Sequence, residues 1–158
     1  MRVALMTDSH DNLGKLHEAV QWCNGNHIDY VLHAGDLVAP FVNKALKNLN
    51  APYTLVFGNN DGERLGLKKM FKDKIFDPPH ELTLDGKKIV MLHDPIVLDA
   101  LIQSGRYDLI LYGHTHDIDI RKQKPLVVNP GELGGWLTHK STMAVWDTQT
   151  DEIDLIEI

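Results

Sequence analysis

The chain has 158 residues, 43% of them hydrophobic and 24% charged, with a formal net charge of −6. That length suits one compact domain over residues 1–158, and no apolar run approaches the roughly 18 residues a membrane-crossing helix needs. The acidic balance argues against a broad basic face for long nucleic acid, and the single cysteine, Cys23, excludes an internal disulfide and suits a reducing cytoplasm.

Residues 3–7 read as a buried first strand and are too short and too quickly polar for a leader segment. Leu13, Leu16, Val20 and Cys23 then recur at spacings of 3, 4 and 3, which makes one apolar helix face, with Asn12 as N-cap and Gly25 as stop. A strand at 30–33 precedes a helix opened by Pro40 that carries Val42, Ala45, Leu46 and Leu49. A strand at 53–57 and a shorter helix at 62–72 follow. After Pro78-Pro79 the rhythm changes: residues 81–84 and 87–92 flank Asp85-Gly86, a hairpin signal. Residues 96–103 read as helix, and 109–112, 118–121, 126–128, 142–146 and 153–158 as strands. An alternating first half and a strand-rich second half predict an α/β architecture. We expect a four-layer αββα sandwich of two mixed β-sheets, packed face to face and flanked by helices.

Seven side chains able to bind metal stand just after these strands: Asp8, His10, Asp36, Asn59, His93, His114 and His116. Alternation along a strand would let Asp8 and His10, and likewise His114 and His116, point to one place. Gly35 and Gly58 precede Asp36 and Asn59 and permit tight turns there. Imidazole, carboxylate and amide donors together suit Mn, Zn, Fe, Co or Ni better than Mg or Ca. Taken alone, Asp36 reads as a cap, Asn59 as a turn residue and His93 as a core histidine. Their joint order favours a metal centre.

The string Asp8-x-His10, Gly35-Asp36, Gly58-Asn59-Asn60-Asp61, His93, Gly113-His114-Thr115-His116 resembles the calcineurin-like metallophosphoesterase superfamily over nearly the whole chain. It looks closest to the small single-domain phosphodiesterases, a branch that includes the retromer-subunit-like proteins. The resemblance implies one cation on Asp8, His10, Asp36 and His116, and a second on Asp36, Asn59, His93 and His114, with Asp36 shared. It further implies that a hydroxide between the cations attacks a small phosphodiester, nucleotide-derived ones among the candidates. Two dications bring +4, Asp8 and Asp36 remove 2 and the hydroxide 1, so a local anion site of about +1 remains.

Three departures from the family pattern bear on mechanism. Asn60 stands where the family usually has a histidine acid, so a catalytic contribution of ~10²–10⁴-fold should be absent or moved. Asp94 follows His93 where a glycine is more usual, and reads as a cap before Pro95 or as a carboxylate orienting His93. Asn129-Pro130-Gly131 matches the family's late block, but Glu132 and Gly134-Gly135-Trp136 replace its usual continuation. Trp136 is then a lid over an aromatic group, a packing residue or a subunit contact.

His33, at a strand end near Asp36, reads as a supporting or catalytic residue or as core. His17, His27, His80 and His139 read as surface or structural, with His139 and Lys140 near the phosphate only if the last loop folds back. A homo-oligomer is compatible with the sequence. A protein-interaction scaffold on the same fold is the main alternative, though scaffolds need not keep seven donors. The β-lactamase-like metallohydrolases fit poorly, since no third histidine follows His114-Thr115-His116-Asp117 in the place they require.

Overall fold

The computed structural model describes residues 1–158. Strand β1 (Arg2–Met6) sits in the middle of the first sheet. Parallel to it run β2 (Tyr30–His33), β3 (Tyr53–Val56) and the short β4 (Ile75–Phe76). On its other side lie the antiparallel strands β10 (Thr142–Asp147) and β11 (Ile153–Glu157). The second sheet has the order β5 (His80–Leu84), β6 (Lys87–Met91), β7 (Leu109–Leu111), β9 (Leu126–Pro130), β8 (Ile118–Arg121). Its centre, β6-β7-β9, is parallel and both edges are antiparallel, so both sheets are mixed as expected.

Period-two alternation sorts the side chains into layers. Ala4 and Met6 face helices α1 (Leu13–Gly25), α2 (Asn43–Leu46) and α3 (Arg64–Phe71), whereas Val3 and Leu5 face the second sheet. From that sheet Ile89, Met91, Leu109, Leu111, Leu126 and Val128 close the layer between the sheets. Val90, Ile110 and Val127 point the other way, towards Leu98 on α4 (Leu98–Ser104). The four-layer expectation holds.

Helix α1 matches its pattern. Asn12 accepts the Lys15 amide hydrogen at 3.2 Å, the helix ends at Gly25, and Leu16, Val20 and Cys23 are buried. The other helices are shorter than expected. The segment opened by Pro40 is a 3₁₀ turn over Pro40–Val42 and then one α-turn, and the expected 62–72 helix covers Arg64–Phe71. Pro95–Val97 is likewise a 3₁₀ turn before α4. The β5–β6 hairpin turns at Asp85-Gly86. Strand β4 has no sequence signal, because two residues carry no period. It pairs Ile75 and Phe76 with Leu55 and Val56 at the sheet edge.

Candidate metal centre

The parallel strands β1, β2, β3, β6 and β7 all end on one rim, and the seven donors stand in the loops that follow. The crevice beyond the carboxyl ends of parallel strands is where α/β sheets place ligands. Strand alternation does not aim these donors, contrary to the expectation from residue spacing. Asp8 (φ 51°), His10 (φ 40°), Asp36 (φ 59°), His114 (φ 70°) and His116 (φ 63°) are all left-handed. Such backbone costs about 1–3 kcal/mol per residue and persists where surrounding contacts over-determine it.

Those contacts are visible. Asp8 and His10 donate their amide hydrogens to the carbonyls of Gly35 (3.1 Å) and Asp36 (2.9 Å). Buried Asp61 accepts the amides of Leu37, Val38 and Gly58 and so ties the loop after β2 to the loop after β3. The Asn129 side chain donates to the Gly113 carbonyl and accepts from the Gly131 amide. Two glycines are required by space. A Cβ at Gly58 would lie 2.1 Å from Asp36 Oδ1, and one at Gly113 would lie 1.9 Å from Thr7 Oγ1.

On one side of the rim, His10 Nε2 and His116 Nε2 are 3.2 Å apart. Asp8 Oδ1 lies 3.5 and 3.4 Å from them, and Asp36 Oδ2 is 3.4 Å from His10 Nε2. On the other side, His93 Nε2 lies 2.8 Å from Asn59 Oδ1 and 3.4 Å from Asp36 Oδ2, while His114 Nδ1 lies 2.8 Å from the same Asn59 oxygen. Donors bonded to one ion at ~2.1 Å in octahedral or tetrahedral array stand about 3.0–3.4 Å apart. Asp8, His10, Asp36, His93 and His116 are at, or close to, that spacing, and His114 meets the cluster through Asn59.

Two further observations fit a cation. Asp8 Oδ1 is buried with no hydrogen-bond partner, while Oδ2 accepts from Thr7 Oγ1 (2.6 Å) and the His114 amide (3.0 Å). His93 donates through Nδ1 to the Ala34 carbonyl at 2.8 Å, so in the neutral ring Nε2 is a bare lone pair facing two oxygens. That opposition is relieved by a proton or by a cation.

Titration follows the same geometry. Burial pushes the Asp36 carboxyl up, but the His93 imidazole and the amides of Asn60 outweigh it and hold Asp36 well below the carboxylate range. For Asp8, burial is likewise outweighed, by His10 and Thr7 first. The Asp8 carboxylate beside it raises His10. His93, lowered by burial, is raised overall by Asp36.

Asn60, though exposed, has its amides engaged on Asp36. Its backbone amide donates to Asp36 Oδ1 and its side-chain amide to Oδ2, both at 2.8 Å. His33 is fully buried beneath the rim. The Gly35 amide donates to its Nδ1 (3.3 Å), so the proton sits on Nε2 and is donated to Ser9 Oγ at 3.1 Å. Burial pushes this imidazole down to about 4. Asp94 stands before the Pro95 turn but makes no capping bond, and the Ala34 carbonyl rather than Asp94 orients His93. His80 lies within β5, stacked on Phe76, not in a loop. His17 pairs with Gln21 on the exposed face of α1.

Residue spacing missed Glu132. It is fully buried, and its Oε2 accepts from His116 Nδ1 (3.1 Å) and the Trp136 amide (3.1 Å), while Oε1 accepts the amides of Leu137 (2.8 Å) and Thr138. Burial would raise this carboxyl, but the Thr138 and Leu137 amides and the His116 charge hold it low. The loop that carries it is drawn across by Leu133 and Gly134, whose amides donate to the carbonyls of Thr7 and Asp8. A cavity of about 190 Å³ beside His10 and His116 is walled by Trp136 and Leu137. The largest cavity, about 320 Å³ between Glu81, Lys88, Arg106 and Tyr107, shares no residue with the rim.

Residues 1–151 match the calcineurin-like phosphoesterase superfamily domain. The chain is 38% identical to phosphodiesterase MJ0936 of Methanocaldococcus jannaschii, covering 96% of each protein. It superposes on the solved structure of an archaeal phosphodiesterase with a TM-score of 0.93 at 37% identity, over the whole of both chains. Vps29 of Chaetomium thermophilum shares the fold, with a TM-score of 0.73 at 16% identity over 100% of this chain and 95% of that one. No helix is long and apolar enough to cross a membrane. Fold, rim and family match agree, and the chain belongs to the calcineurin-like phosphoesterase superfamily, whose members' divalent cations this donor set fits.

Proposed function

We propose that this protein hydrolyses small phosphodiesters with two divalent cations. Asp8, His10, Asp36 and His116 would hold one, and Asp36, Asn59, His93 and His114 the other. The observation that carries this reading is the place of Asp36 Oδ2, 3.4 Å from both His10 Nε2 and His93 Nε2, at the seam of the two donor groups. Divalent cations bound there supply acidified water and charge stabilisation at the phosphoryl oxygens. The chain's residues supply orientation. Asn60 grips both oxygens of Asp36, His33 props Ser9 from below, and Glu132 and the Ala34 carbonyl turn the free nitrogens of His116 and His93 towards the seam.

The charge count from sequence is short by one carboxylate. Two dications (+4) against Asp8, Asp36 and Glu132 (−3) leave +1 before any solvent anion binds, so substrate phosphate is attracted less than two carboxylates would suggest. With Asn60 engaged on Asp36 and no imidazole in its place, diesters with good leaving groups are favoured over monoesters and alkyl esters. The 38% identical archaeal phosphodiesterase supports the same reaction class. The test is hydrolysis of bis(p-nitrophenyl) phosphate against p-nitrophenyl phosphate with Mn²⁺ or Ni²⁺ added. The diester should turn over faster by about ten-fold or more, whereas monoester preference, or no metal dependence, would sink the reading.

A further inference from the structure

Trp136 and Leu137 are 57% and 72% exposed, yet neither is loosely held. Glu132 takes the amide hydrogens of residues 136, 137 and 138, so this backbone is clamped with its apolar side chains turned out of the core. The indole Nε1 donates to the His10 carbonyl at 3.1 Å, which fixes the ring beside a metal-binding imidazole. An apolar wall built this way, on a rim otherwise made of imidazole, carboxylate and amide, marks a contact surface. The cavity it borders, about 190 Å³, also touches His10 and His116, so a planar ring seated there lies beside the donors proposed to hold the phosphate.

From this we infer that the Trp136–Leu137 wall is the subsite for an aromatic substituent of the phosphodiester, a nucleobase in a nucleotide substrate. The inference rests on the phosphodiesterase reading, since the phosphate must sit on the neighbouring donors for the ring to reach the indole. Stacking on an aromatic side chain tolerates any base, because every base has a π-face. The site should thus select nucleotide over alkyl diesters without strong preference among bases.

The test is calorimetric titration of the Mn²⁺-loaded protein with methyl phosphate and with thymidine 5′-monophosphate, in wild type, Trp136→Ala and Trp136→Phe. Wild type should bind the nucleotide about ten-fold more tightly than methyl phosphate, a typical increment for one stacked base. Trp136→Ala should bring that ratio close to one, and Trp136→Phe should keep most of it. Nucleotide binding should also quench tryptophan fluorescence in wild type and not in Trp136→Ala. A wild-type ratio near one, or an undiminished ratio in Trp136→Ala, overturns the subsite and leaves the phosphodiesterase reading standing. Failure of the nucleotide to bind likewise overturns the subsite, while the phosphodiesterase reading falls only if bis(p-nitrophenyl) phosphate is not hydrolysed with Mn²⁺ or Ni²⁺ added.

Discussion

The two halves of the rim differ in charge and in shelter. The half made by Asp8, His10 and His116 is buried or half-buried, and it has the Glu132 carboxylate behind it. The half made by Asn59, His93 and His114 has an exposed amide and an exposed imidazole, with only the neutral Ala34 carbonyl behind His93. Asp36 is common to both. Two carboxylates beyond the shared one favour a dication on the first half, and none does so on the second. On the proposed two-cation reading, the first half would be the tighter site and the second the weaker one.

The strongest way to break this picture is to remove what the halves share. Asp36→Asn should lower hydrolysis of bis(p-nitrophenyl) phosphate by about a thousand-fold or more, the several kcal/mol that bound metal supplies to charge stabilisation. Circular dichroism should show the fold retained. Activity above a tenth of wild type would mean that the halves do not act through a common carboxylate.

A smaller and more selective change is Glu132→Gln, which keeps an acceptor for the clamped loop but removes the charge behind His116. Metal titration should show about 10–100-fold weaker binding at the tight site, with the weak site unmoved. Equal weakening at both would erase the asymmetry.

The smallest effect comes from beneath the rim. In the metal-free protein, His33 is held near 4 against an ordinary 6.5. Its contribution to stability is fully present above pH 6.5 and is lost as pH falls towards 4, because the unfolded chain takes up the proton first. The loss should reach about 1 kcal/mol by pH 6. Comparing urea unfolding of His33→Asn with wild type between pH 7.5 and 5 isolates it. Parallel curves would show that His33 is not the group responsible.

Much of this was readable before folding was considered. The α1 face, the Asp85-Gly86 hairpin and the strand alternation follow from local period and turn chemistry, and they predict the layers. The seven candidate donors were legible in their order after strands. The reason they converge was not. Spacing of two suggested strand alternation, whereas the loops turn through left-handed residues that contacts between distant segments enforce. Glu132 escaped because nothing near it in the chain links it to His116, and its loop is placed by hydrogen bonds to Thr7 and Asp8. An amide at Asn60 lacks an acid's chemistry by its type alone, but its grip on both Asp36 oxygens lies across 24 positions of chain.

Residue order alone sufficed to name the candidate donor atoms and the layers that the apolar faces build, since donor chemistry and hydrophobic period are properties of neighbouring residues. Which lone pairs meet, which carboxylate stands behind which imidazole, and that an indole borders the candidate donors were settled by folding. Those relations depend on distances of a few ångströms between groups as far apart in the chain as His10 and Trp136, and only packing brings such groups together.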